Sequence, residues 1–88
     1  MSETQTELNV AFDVMLGKYG NQPRRFPALR EAGYDAQRIQ DVVNKYWYVA
    51  DRIIDGEFGN EPARTPALER QGYNAKFAQK VANMKLGC

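Results

Sequence analysis

Histidine is absent from this chain of 88 residues. That removes Ser-His-Asp and Cys-His nucleophilic catalysis and most zinc-binding sets. Cysteine occurs once, at Cys88, so no internal disulfide can form, and the position does not suit a C-terminal lipidation signal. No apolar run approaches the roughly 20 residues of a membrane helix, so no membrane role is expected. Charge of one sign is also lacking. Twelve Lys and Arg face eleven Asp and Glu, for a net charge of +1. Nucleic-acid binders carry a basic face, and none is evident here. The local cluster Arg24, Arg25 and Arg30 reads first as a solvated helix face. The start, Met1-Ser2-Glu3-Thr4-Gln5-Thr6-Glu7, is polar and acidic and lacks the basic start and apolar stretch of a signal peptide. The expectation is cytoplasmic synthesis with no export address. The carboxylates Asp13, Asp51 and Asp55 form no recognisable acid/base pair. No enzyme, no cofactor and no metal site is expected.

What the chain does contain is one element written twice. Gly17-Lys18-Tyr19-Gly20-Asn21-Gln22-Pro23 returns as Gly56-Glu57-Phe58-Gly59-Asn60-Glu61-Pro62. Downstream, Arg25, Pro27, Ala28, Leu29, Gly33, Tyr34 and Ala36 recur as Arg64, Pro66, Ala67, Leu68, Gly72, Tyr73 and Ala75. Gln40, Val42 and Asn44 recur as Gln79, Val81 and Asn83. A fixed register of this length is an internal repeat with a period of about 40 residues. Each repeat alone is marginal in size, because small domains bury a smaller share of their surface.

The helical signals follow the same register. Residues 1–5 read as a disordered arm. From Thr6, a candidate cap, Leu8, Ala11, Phe12, Met15 and Leu16 follow the spacing of an amphipathic helix that Gly17 ends. The Gly-rich loop leads to a short helix starting at Pro27 or Pro66, with Thr65 as the second copy's N-cap. That helix stops at Ala32 before Gly33, and at Gln71 before Gly72. Asp35 and Asn74 then stand where an N-cap belongs. Ile39, Val42, Val43, Tyr46, Trp47, Ala50, Ile53 and Ile54 keep one helical period with no Gly or Pro between Ala36 and Asp55. One helix of roughly 20 residues is therefore predicted, the alternative being a break near Lys45 and Tyr46. A last helix is predicted over Ala75 to Lys85, with Phe77, Ala78, Val81 and Ala82 inward and Met84 or Leu86 as further candidates. The fold class is all-α, as two tandem three-helix mini-bundles sharing one long central helix. The boundaries are an arm at 1–5, helical repeat 1 at 6–46 and helical repeat 2 at 47–88.

These motifs resemble the cell-wall-binding repeats at the C-terminus of some phage lysozymes, the Cpl-seven type. That repeat has a Gly-Lys-Trp-Gly-Asn-Gly loop, a following Arg, then Ala-Gly-Tyr-Asp and a Val-Gln-x-x-Val-Asn helix. Gly17-Lys18-Tyr19-Gly20-Asn21, Arg25, Ala32-Gly33-Tyr34-Asp35 and Ile39-Gln40-x-x-Val43-Asn44 carry the match in the first copy. Gly56, Phe58-Gly59-Asn60, Arg64, Gly72-Tyr73 and Asn83 carry it in the second. The family Trp is Tyr19 and Phe58 here, its Lys becomes Glu57, and its Asp becomes Asn74. The resemblance implies a three-helix fold, binding of peptidoglycan fragments with sugar and stem peptide, and localisation at the cell wall after release. The ligand-binding residues it implies are Lys18, Tyr19, Asn21, Arg25, Gly33, Tyr34, Phe58, Asn60, Arg64, Gly72 and Tyr73.

Each of these residues also has a purely structural reading. Arg25 and Arg64 can fork onto a ligand carboxylate or tie down loop carbonyls, and the second use carries slightly more weight. Tyr19 and Phe58 can stack on a ligand or plug the end of the bundle, with the core reading favoured. Tyr34 and Tyr73 follow a helix-ending Gly, where a contact back onto the helix is expected. Asn21 and Asn60 read first as loop formers. Trp47, with Tyr46 and Tyr48, reads as core at the repeat junction; the sharper reading is a partner-binding patch. The function alternatives are an intracellular, phage-encoded protein-interaction module or inhibitor that reuses the scaffold, and self-association as a homodimer.

Overall fold

A computed structural model describes residues 3–87. Met1 and Ser2 of the expected arm, and Cys88, lie outside the described residues. Among the described residues the chain is all-helical, with five helices and no strand: α1 (Gln5–Met15), α2 (Arg25–Glu31), α3 (Ala36–Ile54), α4 (Arg64–Arg70) and α5 (Ala75–Lys85). The chain divides into two compact units, Met1–Lys45 and Tyr46–Cys88, and the division falls within α3. No helix of the described residues is long and apolar enough to cross a membrane.

In the first unit, α1 starts earlier than the sequence reading placed it. Thr4, not Thr6, is the N-cap. Its hydroxyl accepts from the Glu7 N–H at 3.1 Å, and the Glu7 carboxylate accepts from the Thr4 N–H at 2.9 Å. This reciprocal pair satisfies two of the four N–H groups that a helix start leaves without partners. Thr4 and Gln5 thus belong to an ordered helix start and not to an arm. The buried face is Leu8, Val10, Ala11 and Val14. Leu16, expected inward, is the C-cap and is exposed. Leu29 of α2 and Ala36, Ile39, Val42 and Val43 of α3 complete this core.

In the second unit the core stripe of α3 is Tyr46, Val49, Ala50 and Ile53, spaced i, i+3, i+4, i+7. Trp47 therefore does not enter the core as expected. One residue past Tyr46, it is turned about 100° off the stripe, and it stays 41% exposed. Its ring carries the Lys85 ammonium 4.1 Å from the centroid. Ile54 and Leu86 are likewise exposed. Leu68 of α4 and Ala75, Phe77, Ala78, Val81 and Ala82 of α5 fill the inner side. Tyr46 is fully buried. Its ring meets Phe77 edge-on at 4.9 Å, and its hydroxyl accepts from the Asn74 N–H at 2.9 Å.

The short helices begin at Arg25 and Arg64, two residues before Pro27 and Pro66. The prolines occupy the third helical position, where the missing N–H has no intrahelical partner to lose. Thr65 is not the N-cap. It is the second helical residue, and its N–H and hydroxyl both donate to Glu61, at 2.9 and 2.8 Å. Asp35 and Asn74 do cap as expected, accepting from the Arg38 N–H at 3.1 Å and the Phe77 N–H at 2.9 Å.

Candidate functional site

Both Gly-rich loops hang from the same kind of helix end. After α1, the Gly17 N–H donates to Val14 O and the Lys18 N–H to Asp13 O, each at 3.0 Å. After α3, Gly56 donates to Ile53 O and Glu57 to Arg52 O, each at 3.0 Å. Two such reversed bonds define a Schellman end, whose first residue past the cap takes a left-handed conformation. Gly17 and Gly56 do so, with φ of 87° and 84°. The geometry brings the residue after the Gly back over the residue three positions inside the helix end, usually as an apolar contact. Here that contact is ionic. Lys18 pairs with Asp13 at 3.3 Å in the first copy, and Glu57 pairs with Arg52 at 3.3 Å in the second. The positions match and the signs are reversed.

Asn21 and Asn60 are exposed, and their backbone carbonyls anchor the next helix. Asn21 O accepts from the Arg24 and Arg25 N–H groups at 2.8 and 3.1 Å, and Asn60 O from the Arg64 N–H at 3.1 Å. The arginine side chains then close each loop against the unit's last helix. Arg25 donates through Nε to Gly20 O at 3.4 Å and through Nη1 to Gln40 Oε1 at 2.8 Å. Arg64 repeats this with Gly59 O at 3.0 Å and Gln79 Oε1 at 2.5 Å. Each glutamine passes the chain on, donating to Asn44 or Asn83 Oδ1 at 2.9 Å. A polar line of Gly carbonyl, Arg, Gln and Asn thus recurs whole. It ties down loop carbonyls, as the structural reading of these arginines expects.

The aromatic positions differ between copies. Tyr19 is half-buried with Tyr34, Asp13 and Lys18 as neighbours. Burial, followed by Tyr34 and the Asp13 carboxylate, pushes its phenol above the ordinary value of 10.0. Phe58 is only 5% exposed, with the Arg52 guanidinium 4.8 Å from its ring centroid. Tyr34 and Tyr73 follow Gly33 and Gly72, and their N–H groups donate to Leu29 O and Leu68 O at 3.0 and 3.1 Å. Each tyrosine therefore folds back over a buried leucine, as expected after a helix-ending Gly. Tyr73 packs on Tyr46 with centroids 6.2 Å apart.

The first copy thus gathers Lys18, Tyr19 and Tyr34 at one end of its unit, beside the exposed Asn21, with Arg25 anchored to the same loop. Residues 9–46 match the CW_7 repeat model. The match supports a cell-wall-binding repeat over that segment. It takes in the first loop, Arg25, the Gly33-Tyr34 turn and the Gln40–Asn44 line. The CW_7-like segment ends at Tyr46, within α3. No curated protein matches the chain.

Four residues of this geometry stand outside the site residues that the sequence motifs point to. Asp13 and Arg52 become visible only when the repeat register is extended backwards from the loop and charges are compared in pairs. Gln40 and Gln79 were legible as a recurrence but not as partners of the arginines. Among the described residues no three carboxylate or thiol groups converge as a metal cage requires.

Proposed function

We propose that the chain is a non-catalytic binding module of two tandem three-helix repeats joined through α3, and that it binds peptidoglycan fragments carrying both glycan and stem peptide. The observation that carries this reading is the coincidence of the CW_7 match with the loop that Arg25 holds against Gln40. In it, Tyr19 and Tyr34 offer ring faces to a sugar, Lys18 and Asn21 offer polar contacts at the rim, and Arg25 holds the loop in place. Shallow sugar sites work in this way, with aromatic faces for area and a few polar groups for orientation. Phe58, Asn60, Arg64, Gly72 and Tyr73 supply the corresponding scaffold in the second copy. The test is co-sedimentation of the intact chain with purified cell walls at low salt. It should pellet with the walls, and Tyr34→Ala should weaken this. A chain that stays in the supernatant refutes the reading.

Trp47 and Tyr48 support a second reading, a protein-interaction module. They are neighbours on α3, 41% and 63% exposed, and large aromatics dominate interface energetics. The partner would be a second copy of the chain or another protein. Sedimentation equilibrium at high concentration, with Trp47→Ala alongside, tests the first case; a monomer throughout removes it.

A further inference from the structure

We propose that the two copies are not equivalent sites, and that the first alone takes a carboxylate-bearing ligand because the ion pair at its loop points the other way. This rests on the wall-binding reading and names the charge class and number of its ligands.

The argument starts from the two Schellman ends. Each holds one ion pair and is neutral overall, so the pair itself adds no net charge. What differs is the end that faces water at the loop. In the first copy it is Lys18, with 63% of its side chain exposed, against 38% for Asp13. In the second it is Glu57, at 49%, against 24% for Arg52. An anion approaching the first loop meets an ammonium; one approaching the second meets a carboxylate. Two further changes act in the same sense. Gln22 is replaced by Glu61 and Arg24 by Ala63 at the equivalent positions. Glu61 stays ionised, its carboxyl held below the ordinary range by Thr65. All these groups lie within a few residues of one loop.

The aromatic follows the same division. Arg52, drawn toward Glu57, also covers Phe58, so the second ring is buried under a guanidinium. Tyr19 is half-buried and has a hydroxyl. The second copy therefore lacks the exposed cation at its loop, and its ring is more deeply buried than that of Tyr19. Charges within about one Debye length, roughly 8 Å at physiological salt, still act on one another. A reversed pair and two added units of charge difference beside one loop correspond to a preference of about tenfold. The preference should shrink as salt rises.

The experiment is titration calorimetry of the full chain with a soluble disaccharide-peptide muropeptide whose carboxylates are free. One ligand per chain is expected. The double variant Asp13→Arg with Lys18→Glu places the second copy's pair in the first copy and keeps an ion pair across the Schellman end. It should retain its thermal midpoint and lose about threefold in affinity, less than the full difference between the copies because Gln22 and Arg24 are unchanged. The reciprocal variant Arg52→Asp with Glu57→Lys should bring the count toward two. Two equal sites in the unmodified chain, or unchanged affinity in the first double variant, overturns the proposal. If the unmodified chain binds neither walls nor muropeptide, the wall-binding reading itself has failed.

Discussion

Removing Arg64 should cost stability before it costs anything else. Its guanidinium reaches Gly59 O at 3.0 Å and Gln79 Oε1 at 2.5 Å, so it closes the second loop onto α5. Hydrogen bonds with a charged partner contribute about 1.5–3 kcal/mol each, and this half-exposed site belongs at the lower end. Losing both bonds in Arg64→Ala should destabilise the chain by about 2–3 kcal/mol. For domains of 60–100 residues each kcal/mol moves the thermal midpoint by about 4–8 °C, so a fall on the order of 10–20 °C is expected. Arg64→Lys should recover less than half, because a single ammonium cannot span the fork. Arg25→Ala should fall less, since its Gly20 bond is longer at 3.4 Å. The assay is thermal unfolding followed at the helical circular dichroism band. A midpoint within about 2 °C of the unmodified chain would refute the reasoning, and the arginines would then be free to serve a ligand instead.

Three further outcomes follow from single contacts. Thr4→Ala removes the hydroxyl of the capping box and should cost about 1 kcal/mol, seen as a lower midpoint and reduced helicity; an unchanged melt contradicts the cap. Tyr46→Phe keeps the ring contacts but leaves the Asn74 N–H without its acceptor, for a loss of about 1 kcal/mol in urea unfolding; a neutral result would mean that water replaces the hydroxyl. The Glu7 carboxyl is held below its ordinary value of 4.5, first by Arg38, which donates at 3.0 Å, and then by the Thr4 N–H. A folded value below the unfolded one means that the unfolded chain binds more protons between the two. That increment of stability is complete above about pH 4.5 and disappears as the pH falls through the folded value. Glu7→Gln should flatten the acid limb of stability against pH, and an unchanged limb would show that the Arg38 pair contributes nothing.

The helix ends were legible because their signals are local. A Gly that must take positive φ, or an Asp or Asn that must accept an N–H three residues on, acts through its nearest neighbours. Gly17, Gly33, Asp35 and Asn74 were therefore readable one at a time. The prolines misled by two residues because the first turn tolerates Pro at any position lacking an N–H partner, and the sequence pattern alone does not say which. Trp47 misled because hydrophobicity argued for burial while the stripe begun by Tyr46 had already set which face of α3 points inward. The arginines were legible as an alternative only. Their partners, a loop carbonyl and a glutamine fifteen residues on, depend on how two helices pack.

The least legible feature was the exchange of chemistry at fixed positions. Glu7 and Arg38 form an ion pair in the first unit, at 3.0 Å; the equivalent Tyr46 and Phe77 form an edge-on ring contact in the second, at 4.9 Å. Asp13 and Lys18 become Arg52 and Glu57. In each case one substitution read alone looks like decay of the repeat, yet its partner has changed with it. The backbone explains why. Helix packing and the Schellman ends fix which two side chains must meet, and any pair that attracts will serve. Exposed ion pairs contribute little to stability in either direction, about 0–1 kcal/mol, so folding hardly constrains their sign. Under the wall-binding proposal the sign facing the loop is then free to be set by the ligand, and binding rather than stability is where the two copies should differ.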